Sequence, residues 1–527
     1  MIHLVTLQAH DGVSVRTIYL ATMPYTSFPS DTPSNQFFSD RLEDAGLFAR
    51  HMFSGGDGFS GGTTSGRSEV GYGDIVVVNN KPYGYDELLD DWITWAFHGY
   101  PITIQTVADD TTQLSDAETI FTGTIEQIVS TDALNQFTLK IHDRLADLDK
   151  PLLTSRYLGT TTSGGINPGA EGNADIKDQV KPKIFGRCQN VPCVPVNVYE
   201  LIYQVSDGAV NSIAVYDGGV ALTLTSNFST LAALRAATLV PGQYATCLAL
   251  GLFRLGGKAQ FEVTADVVEG SSAASRTIAQ LILKMLTHFG MTSSDWTAAT
   301  FTALDALNSA ECGIRIEGDE TALDAISRVA SQGGVWFAPN ALGKYEVGRL
   351  DAPAEGDAVA TFDLEDNLDN PPQRIETGDS GKGIPAYRVT VLYDRVHLVM
   401  KFSQLAGSVS AERVAYLGEE YRSVTVEDSS VLTKYPDAPK LTITTNFATQ
   451  AAALAEATRV LNLRKVLRDM YAFELPAETA EDVQIGSTVM IESADGRMGL
   501  EDGKPFIAVA RQDSRKDIPT ISFEFWG

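Results

Sequence analysis

Hydrophobic positions alternate along much of this chain with a period of two, the spacing of a half-buried strand. In the first 150 residues HLVTL, SVRTIYLA, DIVVV, PITIQTV, TIFTGTIEQIV and QFTLKIH carry that pattern, which predicts six strands. Between the third and fourth, YDELLDDWITWAFHGY places Leu88, Trp92, Trp95 and Ala96 at helical spacing, so an amphipathic helix over 85–98 is expected. Six strands and one helix in this length suggest a closed or nearly closed barrel plugged by the helix. Residues 311–350 form the most legible unit. Ile314 and Ile316 alternate as a strand, Gly318-Asp319 opens a helix with Leu323, Ile326, Val329 and Ala330 on one face, and Gly333-Gly334 ends it. VWFAP and KYEVGRL follow as a hairpin around Asn340–Gly343. Nothing in the unit is reactive, so it reads as a docking module.

The same patterns divide the chain. The fold class is mainly β with α/β portions, multidomain, with two barrel domains plus two smaller β and α+β domains. Residues 1–155 form the first barrel, and the Gly-rich loop 158–176 marks its boundary. Residues 177–270 form a β-rich domain with DGAV and DGG turns. Residues 271–350 form an α+β domain opened by SRTIAQLILKMLTHFG, whose Ile278, Leu281, Ile282, Met285, Leu286 and Phe289 make an apolar stripe stopped by Gly290. The Asp-, Pro- and Gly-rich segment 351–383 reads as a linker or extended arm. Residues 384–527 form a second barrel-like domain with a long helix near 449–468 and strands in YAFEL, STVMIES, PFIAVARQ and TISFEFW, the last tying the terminus into the fold.

Composition narrows the function. The start MIHLVTLQAHDGVSVR lacks the basic start and apolar core of a secretory signal, and no run of about 18 apolar residues exists, so no membrane span is expected. Forty basic against sixty-seven acidic residues give a net charge of −27, which argues against gripping nucleic acid. Residues 1–150 hold 21 acids against 8 bases, and 21 minus 8 leaves −13 there. That excess reads either as a solvated surface that suppresses self-association or as a wall that something anionic slides past.

Candidate chemistry is sparse. Cys188, Cys193, Cys247 and Cys312 are too scattered for a disulfide scaffold and read as buried free thiols, with a Cys188–Cys193 metal or iron-sulfur pair as the weaker alternative. Gly61–Ser68, GGTTSGRS, nearly spells a phosphate loop, but Arg67 replaces its lysine and no apolar strand leads into it. Gly58–Gly62 spells a nucleophile elbow inside glycine-rich filler. The seven histidines, at 3, 10, 51, 98, 142, 288 and 397, show no zinc spacing, and His288 sits where it complements a helix dipole. Asp90-Asp91, Asp109-Asp110 and the DLEDNLD cluster at 363–369 read as solvated carboxylates rather than glycosidase or calcium groups. No catalytic, cofactor-binding or metal residue is therefore assigned.

Several phrases resemble the baseplate or tail-tip hub proteins of long-tailed bacteriophages and related gene transfer agents. They are GDIVVVNNKPYGYDELLDDW, IFTGTIEQIV with LKIHDRLADLDKPL, KPKIFGRCQNVPCVPV with VYELIYQVSDGAV, GVWFAPNALGKYEVGRLDAP and GSTVMIESADGRMGLEDGKPFIAVA. The resemblance spans nearly the full length. It implies two tail-tube-like β-barrels per subunit, a homotrimer that presents six barrels to a hexameric tube, and no turnover. Implied partners are the distal tail protein or tail tube, the tape measure protein, and central fibre or tip proteins, with DNA passing through the lumen. The implied location is the virion tail tip, assembled in the host bacterial cytoplasm. Against larger members of that family, no appended peptidase, lysozyme or fibre domain is expected. Loop 53–67 and helix 85–98 are the expected interface elements. The rival reading is a β-rich cell-wall or carbohydrate-active enzyme, or an adhesin.

Overall fold

A computed structural model describes residues 1–54, 63–79, 89–131, 135–162, 169–368, 373–379, 382–493, 499–514 and 519–527. Strands dominate. The N-terminal sheet has the order Val15–Ala21, Ile2–His10, Pro101–Val107, Glu118–Thr131, Gln136–Asp143, Tyr72–Val78, Leu42–His51, with every neighbouring pair antiparallel. All seven strands bury side chains in a single core, through Val5, Leu20, Phe48, Ile75, Ile104, Ile125 and Leu139 among others. A sheet whose strands all reach one core must curl around it. At the outer edge Ala21 N donates to Ser39 O (2.7 Å) and Ser39 N donates to Tyr19 O (3.1 Å). The roll is thus drawn together just before the chain enters Leu42–His51, a strand that periodicity alone did not predict.

The expected plug helix is a correction. Residues 85–88 lie outside the described residues, and the remainder forms a short 3-10 helix, Asp90–Thr94. Its contribution to the interior is aromatic: Trp92 is buried against Phe97 (5.4 Å between ring centroids) and Phe137 (5.9 Å). Asp90-Asp91 sit in the first turn, where negative charge suits the helix N-terminus.

Two five-stranded sheets follow. One runs Val220–Ala221, Ser212–Asp217, Val263–Val268, Lys183–Pro192, Gly313–Ile316, and the other Val194–Asn197, Ile202–Gln204, Leu252–Leu255, Gln243–Cys247, Thr223–Asn227. Their facing side chains, including Val191, Ile213, Val267, Tyr244 and Phe253, make one shared core. Gly313–Ile316 belongs by sequence to the next unit, yet it pairs with Lys183–Pro192 and so sews the two units together.

That next unit matches its sequence pattern closely. Helices Ile278–Phe289, Ala298–Leu307 and Ala322–Ser331 and the hairpin Val335–Pro339/Tyr345–Arg349 enclose a core containing Ile282, Met285, Ile326, Val329 and Phe337. Thr277 and Thr321, rather than Gly318-Asp319, cap the first and third helices by accepting from Gln280 N and Asp324 N. Gly290, at φ +107°, takes the left-handed conformation that ends the first helix.

The segment 351–383, expected to be a linker or extended arm, supplies strands to the C-terminal sheet. Ala358–Asp363 pairs parallel with Thr488–Glu492, and Gln373–Ile375 pairs with Met470–Pro476. Both are strands of the C-terminal sheet, which continues through Lys504–Ser514 and Thr520–Trp526. Residues 384–527 also divide. A separate three-stranded sheet, Arg422–Glu427, Arg388–Tyr393, Lys440–Thr444, packs under the helix Gln450–Arg464 through Val389, Val391, Ala453 and Ala457. The C-terminal sheet keeps its own core of Phe362, Phe473, Val489, Phe506 and Phe523. It contains a parallel pair, whereas the N-terminal sheet is antiparallel throughout, so the two ends are not copies in strand order.

Candidate functional site: the seam between the terminal sheets

The two terminal sheets are one sheet. The second half of Lys504–Ser514 pairs antiparallel with Leu42–His51, in the register Ala510↔His51, Arg511↔Arg50, Gln512↔Ala49, Asp513↔Phe48 and Ser514↔Leu47. Its first half pairs on the same side with Thr488–Glu492. A single strand serves two neighbours in succession because its pairing with Thr520–Trp526 is bulged between Ala508 and Ala510. A bulge adds twist and bends the strand, which re-aims it from one neighbour to the next. On the neighbour's side Gly486, at φ +86°, turns the chain away while its N–H still donates to Ala508 O (2.9 Å).

Charge is buried along this seam. Strand alternation puts Arg511 and Asp513 on one face. Arg511 donates through Nε (2.9 Å) and Nη2 (2.8 Å) to the two carboxylate oxygens of Asp513, and through Nη1 to Glu481 O (3.0 Å) and Val483 O (2.8 Å). Arg511 is 2 % exposed and Asp513 0 %, so these bonds replace water almost entirely. Arg50 stands opposite Arg511 with Nη2 3.7 Å from Asp513 Oδ2. Burial first, and then the neighbouring Arg511, weigh against its charge. Two guanidiniums thus share one carboxylate. Arg50 also faces a cleft of about 250 Å³ roofed by Trp336 and the hairpin loop Asn340–Leu342.

The third member of the joint starts at Asp143, which ends the strand Gln136–Asp143. It accepts from Gly71 N (3.0 Å) and Leu145 N (2.9 Å), capping the 3-10 helix Arg144–Leu148. Burial pushes its carboxyl up to about 7. Arg144 then reaches the α+β unit, donating to Gly343 O (3.1 Å) and Asp295 Oδ1 (3.2 Å), while Tyr345 Oη donates to Arg144 O (2.8 Å). Both terminal sheets and the central unit are therefore locked by groups with little access to solvent. Such an arrangement sets geometry. It aligns no nucleophile with a base.

The residues singled out from sequence lie elsewhere. All four cysteines are free and buried, but Cys188 and Cys193 occupy the core between the two five-stranded sheets, Cys247 a second core and Cys312 a third. They do not converge. Burial raises the Cys188 thiol to about 12, so it stays protonated. Among the described residues no three His, Cys, Asp or Glu side chains gather as metal ligands. His288 does end its helix, but burial and then Lys183 lower its proton affinity, which weakens the expected dipole role. Asp109 accepts from Thr111 N (2.9 Å), and Asp363 caps a 3-10 turn by accepting from Glu365 N (2.9 Å). Arg67 pairs with Asp324 (3.2 Å). The elbow spelling at 58–62 and most of loop 53–67 lie outside the described residues. The described ends of that loop are anchored inward: Phe53 is buried, and Thr64 bonds Asp379 and Arg464.

No protein-family model matches the chain, and no curated protein matches it. No helix among the described residues is long and apolar enough to cross a membrane. Among solved structures, the chain is similar to the 43 kDa tail protein of prophage MuSo2 from Shewanella oneidensis, at 12% identity and TM-score 0.39, over 99% of this chain and 98% of that one. It is similar to a tail protein from Neisseria meningitidis, at 9% identity and TM-score 0.41, over 100% and 96% of the two chains. A chain of a native gene transfer agent virion aligns at 14% identity and TM-score 0.39, over 73% of this chain and 91% of that one.

Proposed function

We propose that this chain is a structural hub of a bacteriophage tail tip or baseplate. Three copies form a ring that adapts a hexameric tail tube to threefold tip components, and the tape measure and DNA pass through its lumen. The observation that carries the reading is the seam: sheets from both ends of the chain share a strand pairing and a buried Arg50–Arg511–Asp513 cluster. A subunit that offers two rolled sheets to a sixfold tube must hold their mutual angle under load, and a continuous sheet with desolvated charge pairs resists hinge motion. One of the phrases that resemble tail-tip hubs, GVWFAPNALGKYEVGRLDAP, covers the hairpin that roofs this seam. The net charge of −27, with −13 from 21 acids and 8 bases in residues 1–150, suits a channel wall that does not trap phosphate. Salt confines that repulsion to groups within roughly 8 Å of DNA.

The test is the mass and shape of the purified chain. Light scattering and single-particle imaging are expected to give an assembly of three 56.8 kDa copies around an axial bore lined by acidic residues. A monomer, or a trimer with no bore, overturns the hub reading. A basic bore removes the electrostatic part alone.

A further inference from the structure

A groove lined in part by Trp526 carries, among the described residues, a cation without an ion-pair partner and an unpaired strand edge together. It encloses about 380 Å³ between the helix Gln450–Arg464 and the strand Lys440–Thr444. Among the described residues that strand pairs only with Arg388–Tyr393, so its other edge offers backbone N–H and C=O groups to a further strand. Ile384 (50 % exposed) and Val466 (51 %) flank the groove as apolar surface.

Its charge is uneven. Arg459 is matched by Glu456 (2.6 Å) and Asp351 (3.1 Å), and Arg464 by Asp379 (3.4 Å). Arg468 has no such partner among the described residues. Its Nε donates to Leu463 O (3.1 Å), and its guanidinium lies 4.9 Å from the centroid of Trp526, beside Arg464 on the same indole. Burial, and then Arg464, lower its proton affinity, with no carboxylate acting the other way. A half-buried cation next to another cation, in a chain of net charge −27, is completed by an anion from outside. One unmatched cation beside two carboxylate-paired arginines does not suit a polyphosphate backbone, which needs a row of free ones.

We propose that this groove receives an extended segment of a partner protein, which adds as a strand to the Lys440–Thr444 edge and places a carboxylate on Arg468. The occupant is committed by charge complementarity and by the open edge, and the assignment does not depend on the hub reading.

The test uses the full chain and two fluorescent heptapeptides, acetyl-Val-Thr-Val-Asp-Val-Thr-Val-amide and the same sequence with Lys for Asp. The acidic peptide is expected to bind and to slow amide exchange at residues 440–444, and the lysine peptide to bind at least about tenfold more weakly. Arg468→Ala is expected to erase that preference. Val466→Glu, which places a carboxylate in the groove while leaving the Arg468–Trp526 stack intact, is expected to do the same. Equal affinity for the two peptides, no added protection at 440–444, or protection already complete in the free protein overturns the proposal. Protection that grows with protein concentration in the absence of peptide assigns the edge to a second copy and also overturns it.

Discussion

Arg511 illustrates how a buried charge is made tolerable. Its four hydrogen bonds go to one carboxylate and two carbonyls, so almost none of its donors is left to the protein interior. Removing the carboxylate alone strands both guanidiniums. Asp513→Ala is therefore expected to cost about 3–5 kcal/mol in urea unfolding, against much less for a joint Arg511→Met/Asp513→Leu replacement that removes the pair together. Asp143 gives a second residue-scale expectation. Burial raises its folded-state carboxyl to about 7, well above the ordinary carboxylate range, so the folded chain holds a proton that the unfolded chain releases. The contribution is complete below the unfolded value and is lost as pH rises through the folded one. Urea midpoints are expected to fall between pH 4 and pH 7 on this account, and Asp143→Asn to flatten that part of the profile. A slope unchanged in the variant would show that Asp143 is not its source.

At the scale of elements, legibility followed the cleanliness of the period. The helices Ile278–Phe289 and Ala322–Ser331 were readable because their apolar stripes are uninterrupted, and the first ends at Gly290 in the left-handed conformation. Truncating Ile326, fully buried in that core, to Ala is expected to cost about 2–5 kcal/mol by thermal unfolding. Leu42–His51 was not readable. Its residues Glu43, Asp44 and Arg50 break the alternation, and Arg50 is charged because it must meet Asp513 across a seam that no local window contains. Ala358–Asp363 and Gln373–Ile375 hid for a related reason: short strands amid Asp and Pro carry little propensity and exist because Thr488–Glu492 and Met470–Pro476 offer them ladders. The apolar run at 92–97 supplied its buried Trp92 and Phe97 without a regular helix, since aromatic burial needs side chains inside and not a particular backbone.

For the whole molecule, the seam makes the chain's two ends interdependent. Residues 1–155 produced alone would expose the Leu42–His51 edge that Lys504–Ser514 covers. An uncovered edge at Leu47–His51 recruits other strands. The excised segment is expected to associate or aggregate, and adding separately expressed 351–527 to restore a soluble complex, both followed by size-exclusion chromatography. A stable monomeric 1–155 would show that the seam is not required to protect that edge.

Sequence by itself determined the β-rich class, the α+β unit with its hairpin, the burial of the cysteines and the acidic balance, because each depends on local period, composition or single-residue chemistry. Only the tertiary structure decided that the ends merge into one sheet, that 351–383 supplies strands, and that Arg50, Arg511, Asp513 and Asp143 are buried rather than solvated. Those outcomes rest largely on pairing between residues far apart in sequence, as with His51 and Ala510. The energy of such a pair belongs to neither strand until both are in place, so no stretch of sequence read alone displays it.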